Sequence, residues 1–174
     1  MSDLYDRIVQ ERGSFERLIA RIPGFKGYQD KQARRNADRM LRDYIVDLIQ
    51  QRLDRVIRIE QLIINSGGMA YMSRTRNVKS KIQQLKDKMD SASAGYSGMW
   101  AQLKIGADEM ETLYAFDEAQ VKSVEGFDEA LDSMEQSAGD QAKLDEAIVN
   151  LDTLVVEALS AFALRDDLIS GFGA

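Results

Sequence analysis

The chain lacks cysteine and histidine altogether, and these two absences exclude most catalytic chemistry. Without cysteine there is no disulfide, no thiolate nucleophile and no zinc knuckle. Without histidine the commonest general base, the Ser-His-Asp triad and every histidine-dependent metal site are excluded. We therefore expect a non-enzymatic protein with no cofactor, no bound metal and no small-molecule substrate.

Proline and long apolar runs are also scarce. Pro23 is the single proline, and the order Ile22-Pro23-Gly24 favours a type II turn. No uninterrupted apolar run approaches the about 18 residues that a membrane span needs. The first residues, Met-Ser-Asp-Leu-Tyr-Asp, are too polar for a signal peptide. We expect a cytoplasmic protein, with peripheral attachment to a membrane as the alternative.

What the chain does contain is a helical pattern from one end to the other. Hydrophobic residues make up 44% of the 174 residues and charged residues 30%, which is typical of a folded domain. Apolar residues recur at alternating spacings of four and three, the period of packed helices. The sequence predicts an all-α fold and a single helical domain over residues 1–174.

Turn signals divide this pattern into helices. We expect an N-terminal helix over 3–22 and further helices whose predicted bounds are 29–65, a stretch ending near 104, about 109–136, and about 141–170. Short turns at 66–68 and 137–140 place consecutive helices antiparallel. The result is an elongated antiparallel bundle of two coiled-coil-like hairpins, 29–104 and 108–170, with the short N-terminal helix packed on them.

The segment 91–98 supports two interpretations. Its serines, alanines and glycines suit a linker. The heptad stripe nevertheless continues without a slip through Ala92, Tyr96 and Met99 to Leu103, so we predict helix throughout, although each glycine costs about 1 kcal/mol there.

Charge is divided between the two hairpins. Residues 1–90 carry 19 Lys and Arg against 12 Asp and Glu, a net charge of +7, whereas residues 91–174 carry 4 against 17, a net charge of −13. Docking a basic hairpin against an acidic one neutralises most of this asymmetry within the molecule.

Two basic clusters are the candidate interaction surface. The first comprises Arg34, Arg35, Arg39 and Arg42, and the second Arg74, Arg76, Lys79 and Lys81. They suit an anionic membrane surface or the acidic hairpin. The net charge of −6 argues against nucleic acid. A protein partner or self-association is the partner that we expect.

Carboxylates are the abundant reactive groups. The spacing Asp108-x-x-Glu111 followed by Glu125-x-x-Asp128 resembles the acidic motif pair of all-helical nucleotide pyrophosphohydrolases, which hold magnesium. In this chain the apolar stripe predicts one continuous helix, which separates Glu111 from Glu125 by about 21 Å. Because Mg²⁺ needs oxygens at about 2.1 Å, a Mg-dependent hydrolase remains only a remote alternative.

Two charged residues interrupt the apolar stripes of the acidic hairpin. Asp117 lies between Tyr114 and Val121, and Arg165 lies between Phe162 and Ile169. Helical side chains lean toward their own N-terminus, so antiparallel helices bring these two heads together. We predict a structural ion pair between Asp117 and Arg165, with solvent exposure at the edge of the bundle as the alternative.

Three segments carry a resemblance to known proteins. Residues 22–28, 32–42 and 113–117 resemble stretches that recur in uncharacterised bacterial helical proteins, which implies a helical fold and no particular function. The basic hairpin is also similar, in helix length and charge, to phage-shock and ESCRT-III-type membrane-remodelling proteins.

These observations lead to a helical-bundle adaptor or oligomeric scaffold as the expected function. The alternative from another class is a peripheral membrane protein that binds anionic lipid through the basic hairpin.

Overall fold

A computed structural model describes residues 2–95 and 100–173 of the chain. The regular elements in these two ranges are all helical, which confirms the predicted all-α class. The helices are α1 (Ser2–Val9), α2 (Ser14–Arg21), α3 (Arg34–Asn65), α4 (Met72–Gly95), α5 (Ala107–Glu125), α6 (Phe127–Gln136) and α7 (Gln141–Gly171). Short 3-10 turns at Met69–Tyr71 and Trp100–Gln102 supplement them.

The long helices pack as a bundle with α3 and α7 at opposite corners. α3 packs on α4, and α7 packs on α5 and α6. The two pairs then meet, because α4 also packs on α7 while α3 packs on α5 and α6. α1 and α2 cover α5 from outside. The outer faces of α3 and α7 therefore point away from each other.

The predicted apolar stripes form the core. On α7 the stripe from Leu144 to Ile169 is buried at every predicted position. On α4 the heptad residues Val78, Ile82, Leu85 and Met89 are buried as well. The predicted turn after α3 is present, with Gly67 at φ 87° and the Gly68 amide donating to the Ile63 carbonyl at 2.8 Å. Gly67 ends the helix because glycine adopts positive φ at little steric cost.

The prediction of one N-terminal helix over 3–22 is wrong. Two helices occupy this range, separated at residues 10–13. Gly13 has φ 71°, a left-handed conformation that glycine adopts readily. The break lets Leu4 and Ile8 of α1 pack on a separate apolar cluster that contains Phe116.

The predicted helix over 109–136 is also divided. α5 ends at Glu125 and α6 begins at Phe127, with Gly126 between them. The Gly126 amide still donates to the Lys122 carbonyl at 2.8 Å, so the division is a bend rather than a turn. Phe127, Leu131 and Met134 keep their predicted places in the core.

The predicted helical stretch ending near 104 is too long. α4 ends at Gly95, and residues 96–99, on which part of this prediction falls, lie outside the described residues. The chain continues with the 3-10 turn Trp100–Gln102. Just after this turn, the Leu103 carbonyl accepts a hydrogen bond from Arg34 Nη1 at 3.1 Å.

Candidate functional site: a buried polar cluster and an exposed helix face

The structure brings Asp117 of α5 and Arg165 of α7 together inside the bundle. Arg165 Nε donates to Asp117 Oδ1 at 2.5 Å, and the two residues are 2% and 0% exposed. The alternative, in which either residue faces solvent, does not fit this arrangement. Arg165 also binds Asp38 of α3, where its Nη2 donates to Oδ1 at 2.8 Å. One guanidinium thus joins three helices.

Two further residues extend this arrangement. Tyr28, in the loop between α2 and α3, donates from its hydroxyl to Asp117 Oδ2 at 2.5 Å, and Arg165 Nη2 donates to that hydroxyl at 3.2 Å. Arg42 lies one turn after Asp38 and donates to Asp38 Oδ2 at 2.9 Å. Tyr28, Asp38, Arg42, Asp117 and Arg165, together with Arg34, are called the buried polar cluster below.

Aromatic rings enclose the cluster on the side of Tyr28. The Trp100 ring stacks on Tyr28 with 5.5 Å between centroids, and Tyr114 stacks on it at 5.3 Å. The Tyr28 amide donates to the Tyr114 hydroxyl at 2.7 Å. Arg34 of α3 also contacts the loop between α2 and α3, because its Nε donates to the Tyr28 carbonyl at 2.7 Å. The loop between α2 and α3 is thereby fixed to α3 and α5.

Burial shifts the pKa values within the cluster. Burial raises the pKa of Asp117, against the attraction of Arg165 and the hydrogen bonds from Tyr28 and Arg165. Burial and the nearby Asp117 carboxylate raise the pKa of Tyr28 well above 10.0. Burial opposes the charge of Arg165, but the carboxylates of Asp117 and Asp38 outweigh it and raise its pKa.

The cluster has the properties of a structural clamp. Its members are enclosed, and they donate to and accept from one another or the backbone. These contacts connect α3, α5 and α7, and holding elements in register is the best-attested use of buried ionic groups.

These contacts correct the prediction for two residues of the basic surface. Arg34 and Arg42 were expected on the surface, but each is 2% exposed and belongs to the buried polar cluster. The spacing of these residues in the sequence could have indicated their burial. Arg34, Asp38 and Arg42 recur every four residues beside Ala37 and Leu41, so they border the apolar stripe of α3.

The other predicted basic residues lie nearer the surface, and most of them contact carboxylates. Lys81 Nζ pairs with Asp152 of α7 at 2.7 Å, and Arg74 pairs with Asp145 of α7. Lys79 Nζ pairs with Glu60 of α3 at 2.7 Å, and Arg39 lies 3.8 Å from Asp43. Arg35 and Arg76 are exposed. The second basic cluster is thus used largely inside the molecule.

Three of the four carboxylates of the remote hydrolase alternative also contact cations. Glu111 pairs with Arg12 at 2.5 Å, Glu125 with Arg21 at 3.4 Å, and Asp128 with Arg52 at 2.7 Å. Glu111 and Glu125 lie on the single helix α5. In the ranges 2–95 and 100–173, no three acidic side chains are grouped so that they could hold a metal ion.

An exposed face of α7 is the second candidate site. Five uncharged residues follow one another on this face at spacings of four and three, and we call them the α7 outer stripe: Val149, Thr153, Val156, Ser160 and Ala163. Val149 is 56% exposed and Val156 is 45% exposed. The exposed Val149 and Val156 thus lie about two turns apart on the same face of α7, at the corner of the bundle opposite α3.

The composition of α7 makes this exposure unusual. Over the described residues, α7 alone is long and apolar enough to cross a membrane by length and composition, and 39% of its most apolar window is buried. The core helix of a soluble bundle meets the same criteria. A helix that is apolar on several faces normally has neighbours on each of them.

Comparison of the chain with protein-family models, curated proteins and solved structures found no match. The fold and the contacts described above are therefore the basis for any functional proposal.

Proposed function

We propose that the protein is a non-enzymatic helical-bundle adaptor or oligomeric scaffold, which works through protein–protein contacts. The observation that carries this proposal is the α7 outer stripe. Its Val149 and Val156 are exposed on a helix that contains an 18-residue window of mean hydropathy 1.7. Exposed apolar positions in a regular row are typical of a surface that another helix covers.

The distribution of charged groups supports the same proposal. The buried charges of the bundle join helices to one another, as in the contacts of Arg165 with Asp117 and Asp38. Many surface cations of the first half pair with carboxylates of the second, for example Arg55 with Glu135 at 3.0 Å. These groups stabilise a rigid body, which is what a scaffold needs.

Site-specific photo-crosslinking in living cells tests this function. A photoreactive amino acid at Val156 should capture an identified protein, or a second copy of the chain, that binds the purified chain again in solution. The same reporter at Ile57, which is 54% exposed on α3, is the matched control. If Val156 captures no protein that rebinds, the adaptor and scaffold proposal is wrong.

A peripheral membrane function is the second candidate, and one observation favours it. Met69, at the tip of the α3–α4 hairpin, is 65% exposed, and Leu62 nearby is 38% exposed. An apolar tip with the exposed Arg58 and Arg76 behind it suits an anionic bilayer. Sedimentation with vesicles that contain anionic lipid should then depend on Met69, and Met69→Glu should abolish it. Equal sedimentation of the wild-type protein with zwitterionic vesicles would remove this candidate.

A further inference from the structure

The N-terminal region has the residue spacing of one helix but folds as two. The positions that would share one face of a single helix follow one another at spacings of four and three: Leu4, Ile8, Glu11, Phe15, Leu18 and Ile22. In the structure the helix is interrupted at Gly13, whose φ of 71° lies outside the helical region. One left-handed residue thus separates two helices whose sequence suits a continuous helix.

α1 is held on the bundle by a small contact of its own. Within the described part of the chain, α1 packs on α5 and α7 and on no other helix. Its Ile8 is buried in an apolar cluster that is separate from the main core. We call the part of α5 and α7 that α1 covers the α1 seat: Ala115, Phe116, Ala119 and Ala161. α1 can therefore leave the α1 seat without opening the main core.

The fit of α1 on the α1 seat is incomplete. A cavity of about 240 Å³ lies between α1, α5 and α7, with Leu4 and Ile8 on its α1 side. The ion pair between Arg7 and Glu157 at 3.4 Å joins α1 to α7, and both side chains are exposed. Unfilled space forfeits dispersion contacts, and exposed ion pairs contribute little to stability. Release of α1 therefore belongs to the low-energy openings of the fold.

We propose that α1 exchanges between two copies of the chain, so that each α1 occupies the α1 seat of the other copy in a two-fold symmetric dimer. In the exchanged form, residues 10–13 become helical and join α1 to α2 in one helix of about 20 residues and about 30 Å. Each seat receives the same side chains as in the monomer, so the seat contacts are kept. This inference rests on α1 and not on the α7 outer stripe, and it goes beyond the proposed function.

Gly13 sets the balance between the monomer and the exchanged dimer. Glycine tolerates the left-handed conformation that returns α1 to its own seat, and it is a poor helix former, so it disfavours the continuous helix. The short connection also keeps α1 at a local concentration on the order of 1 mM at its own seat. We therefore expect the wild-type protein to be largely monomeric at micromolar concentration and to dimerise as its concentration approaches about 1 mM.

Gly13→Ala in the full-length protein tests the exchange. Alanine disfavours the left-handed conformation and favours helix, so this variant should shift the equilibrium toward the dimer. In sedimentation velocity, we expect the dissociation constant of the dimer to fall at least about tenfold, which is about 1.4 kcal/mol. Gly24→Ala is the matched control. Gly24 also has a left-handed φ of 80°, but Pro23 prevents a continuous helix there, so this variant should remain as monomeric as the wild-type protein.

A charge exchange at the α1 seat separates exchange of α1 from other modes of association. Arg7→Glu and Glu157→Arg are each made in the Gly13→Ala protein, so that each variant alone places like charges where Arg7 and Glu157 now pair. When the two variants exchange α1 with each other, both seats carry opposite charges. In the mixture, native mass spectrometry should find heterodimers above the share of about one half that random pairing gives.

Four results would overturn the proposal. The first is a Gly13→Ala protein that stays monomeric at about 1 mM, and the second is equal dimerisation of Gly24→Ala. The third is a Gly13→Ala dimer that persists when Ile8→Glu removes the apolar anchor of α1, with circular dichroism confirming that the variant folds. The fourth is a heterodimer share at or below that of random pairing. Crosslinking through Val156 does not depend on α1, so failure of the exchange and failure of the proposed function are separate results.

Discussion

Arg165 is the residue on which most of the buried polar cluster depends. Its guanidinium contacts Asp117, Asp38 and the hydroxyl of Tyr28, and it is 2% exposed. A buried charge without its partner costs far more than the pair contributes over apolar residues of the same size. Asp117 is fully buried, and Arg165 is the cation that compensates its charge.

Removal of Arg165 alone should therefore be worse than removal of the pair. Arg165→Leu should lower the free energy of unfolding by about 3–5 kcal/mol, because the carboxylate of Asp117 remains buried and uncompensated. Arg165→Leu combined with Asp117→Leu should lose less, as measured by urea denaturation. Arg39→Leu, which removes an exposed pair with Asp43, is the control and should change stability by less than about 1 kcal/mol. Additive losses from the two single substitutions would contradict the interpretation.

Glu118 is another buried carboxylate, and its shifted pKa makes the stability of the protein depend on pH. Burial opposes its ionisation, but hydrogen bonds from Arg17 and Ser14 and the charge of Lys122 outweigh burial and lower its pKa. A lowered pKa in the folded state stabilises the fold above the ordinary value of 4.5, and this contribution is lost as pH falls through the folded value.

Glu118→Gln should accordingly be least harmful in acid. We expect the variant to be less stable than the wild-type protein near pH 7 and the difference to shrink steadily as pH falls below 4.5, the ordinary pKa of glutamate. Urea denaturation of both proteins at a series of pH values measures the difference. A difference that grows toward low pH would show that the pKa of Glu118 is raised.

Charged residues were predictable in this chain only where they interrupted a stripe. Asp117 and Arg165 occupy positions where the heptad requires an apolar residue, so the sequence marks both. Arg34 and Arg42 lie beside the stripe of α3, where an arginine normally reaches solvent. Arg34 is buried against the Tyr28 and Leu103 carbonyls and Arg42 against the Met89 carbonyl. These acceptors come from other segments of the chain, and no local pattern contains that information.

At the scale of elements, the loop between α2 and α3 depends on Gly27. Gly27 has φ 78°, and a Cβ at this position would lie 2.7 Å from the Phe15 ring and would overlap the hydroxyl of Tyr114. That hydroxyl accepts the hydrogen bond of the Tyr28 amide. Gly67 has a similar φ of 87° with open space around it.

The two glycines form a matched pair of substitutions. Gly67→Ala should cost about 1–2 kcal/mol, which is the penalty for a left-handed conformation. Gly27→Ala should cost about 1–3 kcal/mol more, because the side chain also displaces Tyr114 and Phe15. Chemical denaturation of the two variants compares these costs. Equal losses would mean that the loop adjusts without disturbing Tyr28.

The sequence predicted the bounds of a helix correctly where its capping residue and its apolar stripe indicated the same ends. α7 was predicted over about 141–170 and is Gln141–Gly171, since Asp140 caps its start and the stripe is continuous. The breaks at Gly13 and Gly126 were missed, because apolar spacing continues across both glycines. In each case tertiary packing decides the path: α1 turns to cover Phe116, and Phe127 enters the core.

At the scale of the whole molecule, the two halves complete each other. Arg165 of the second half binds Asp38 of the first, and the apolar face of α3 is covered by α5 and α6 as well as by α4. A fragment of residues 1–104 keeps the contact with α4, but it leaves the part of this face that packs on α5 and α6, and part of the buried polar cluster, without partners. We expect the fragment to be partly folded or self-associated, since each amphipathic hairpin must bury its apolar face. A cooperatively melting monomer in calorimetry and sedimentation would refute this dependence.

Ion pairs across the two halves should make stability sensitive to salt. Arg55 of α3 pairs with Glu135 and also contacts Asp132 and Asp128 of α6, and Arg52 pairs with Asp128 at 2.7 Å. These carboxylates are half exposed, so each pair contributes little and is screened when the Debye length falls to about 3 Å at 1 M NaCl. We expect a modest decrease in the melting temperature of the wild-type protein between low salt and 1 M NaCl.

Arg55→Gln should lower the melting temperature at low salt and reduce its dependence on NaCl, because three contacts are removed at once. A melting temperature that rises steadily with NaCl would instead show that repulsion among the carboxylates of residues 91–174 outweighs their attraction to the first half.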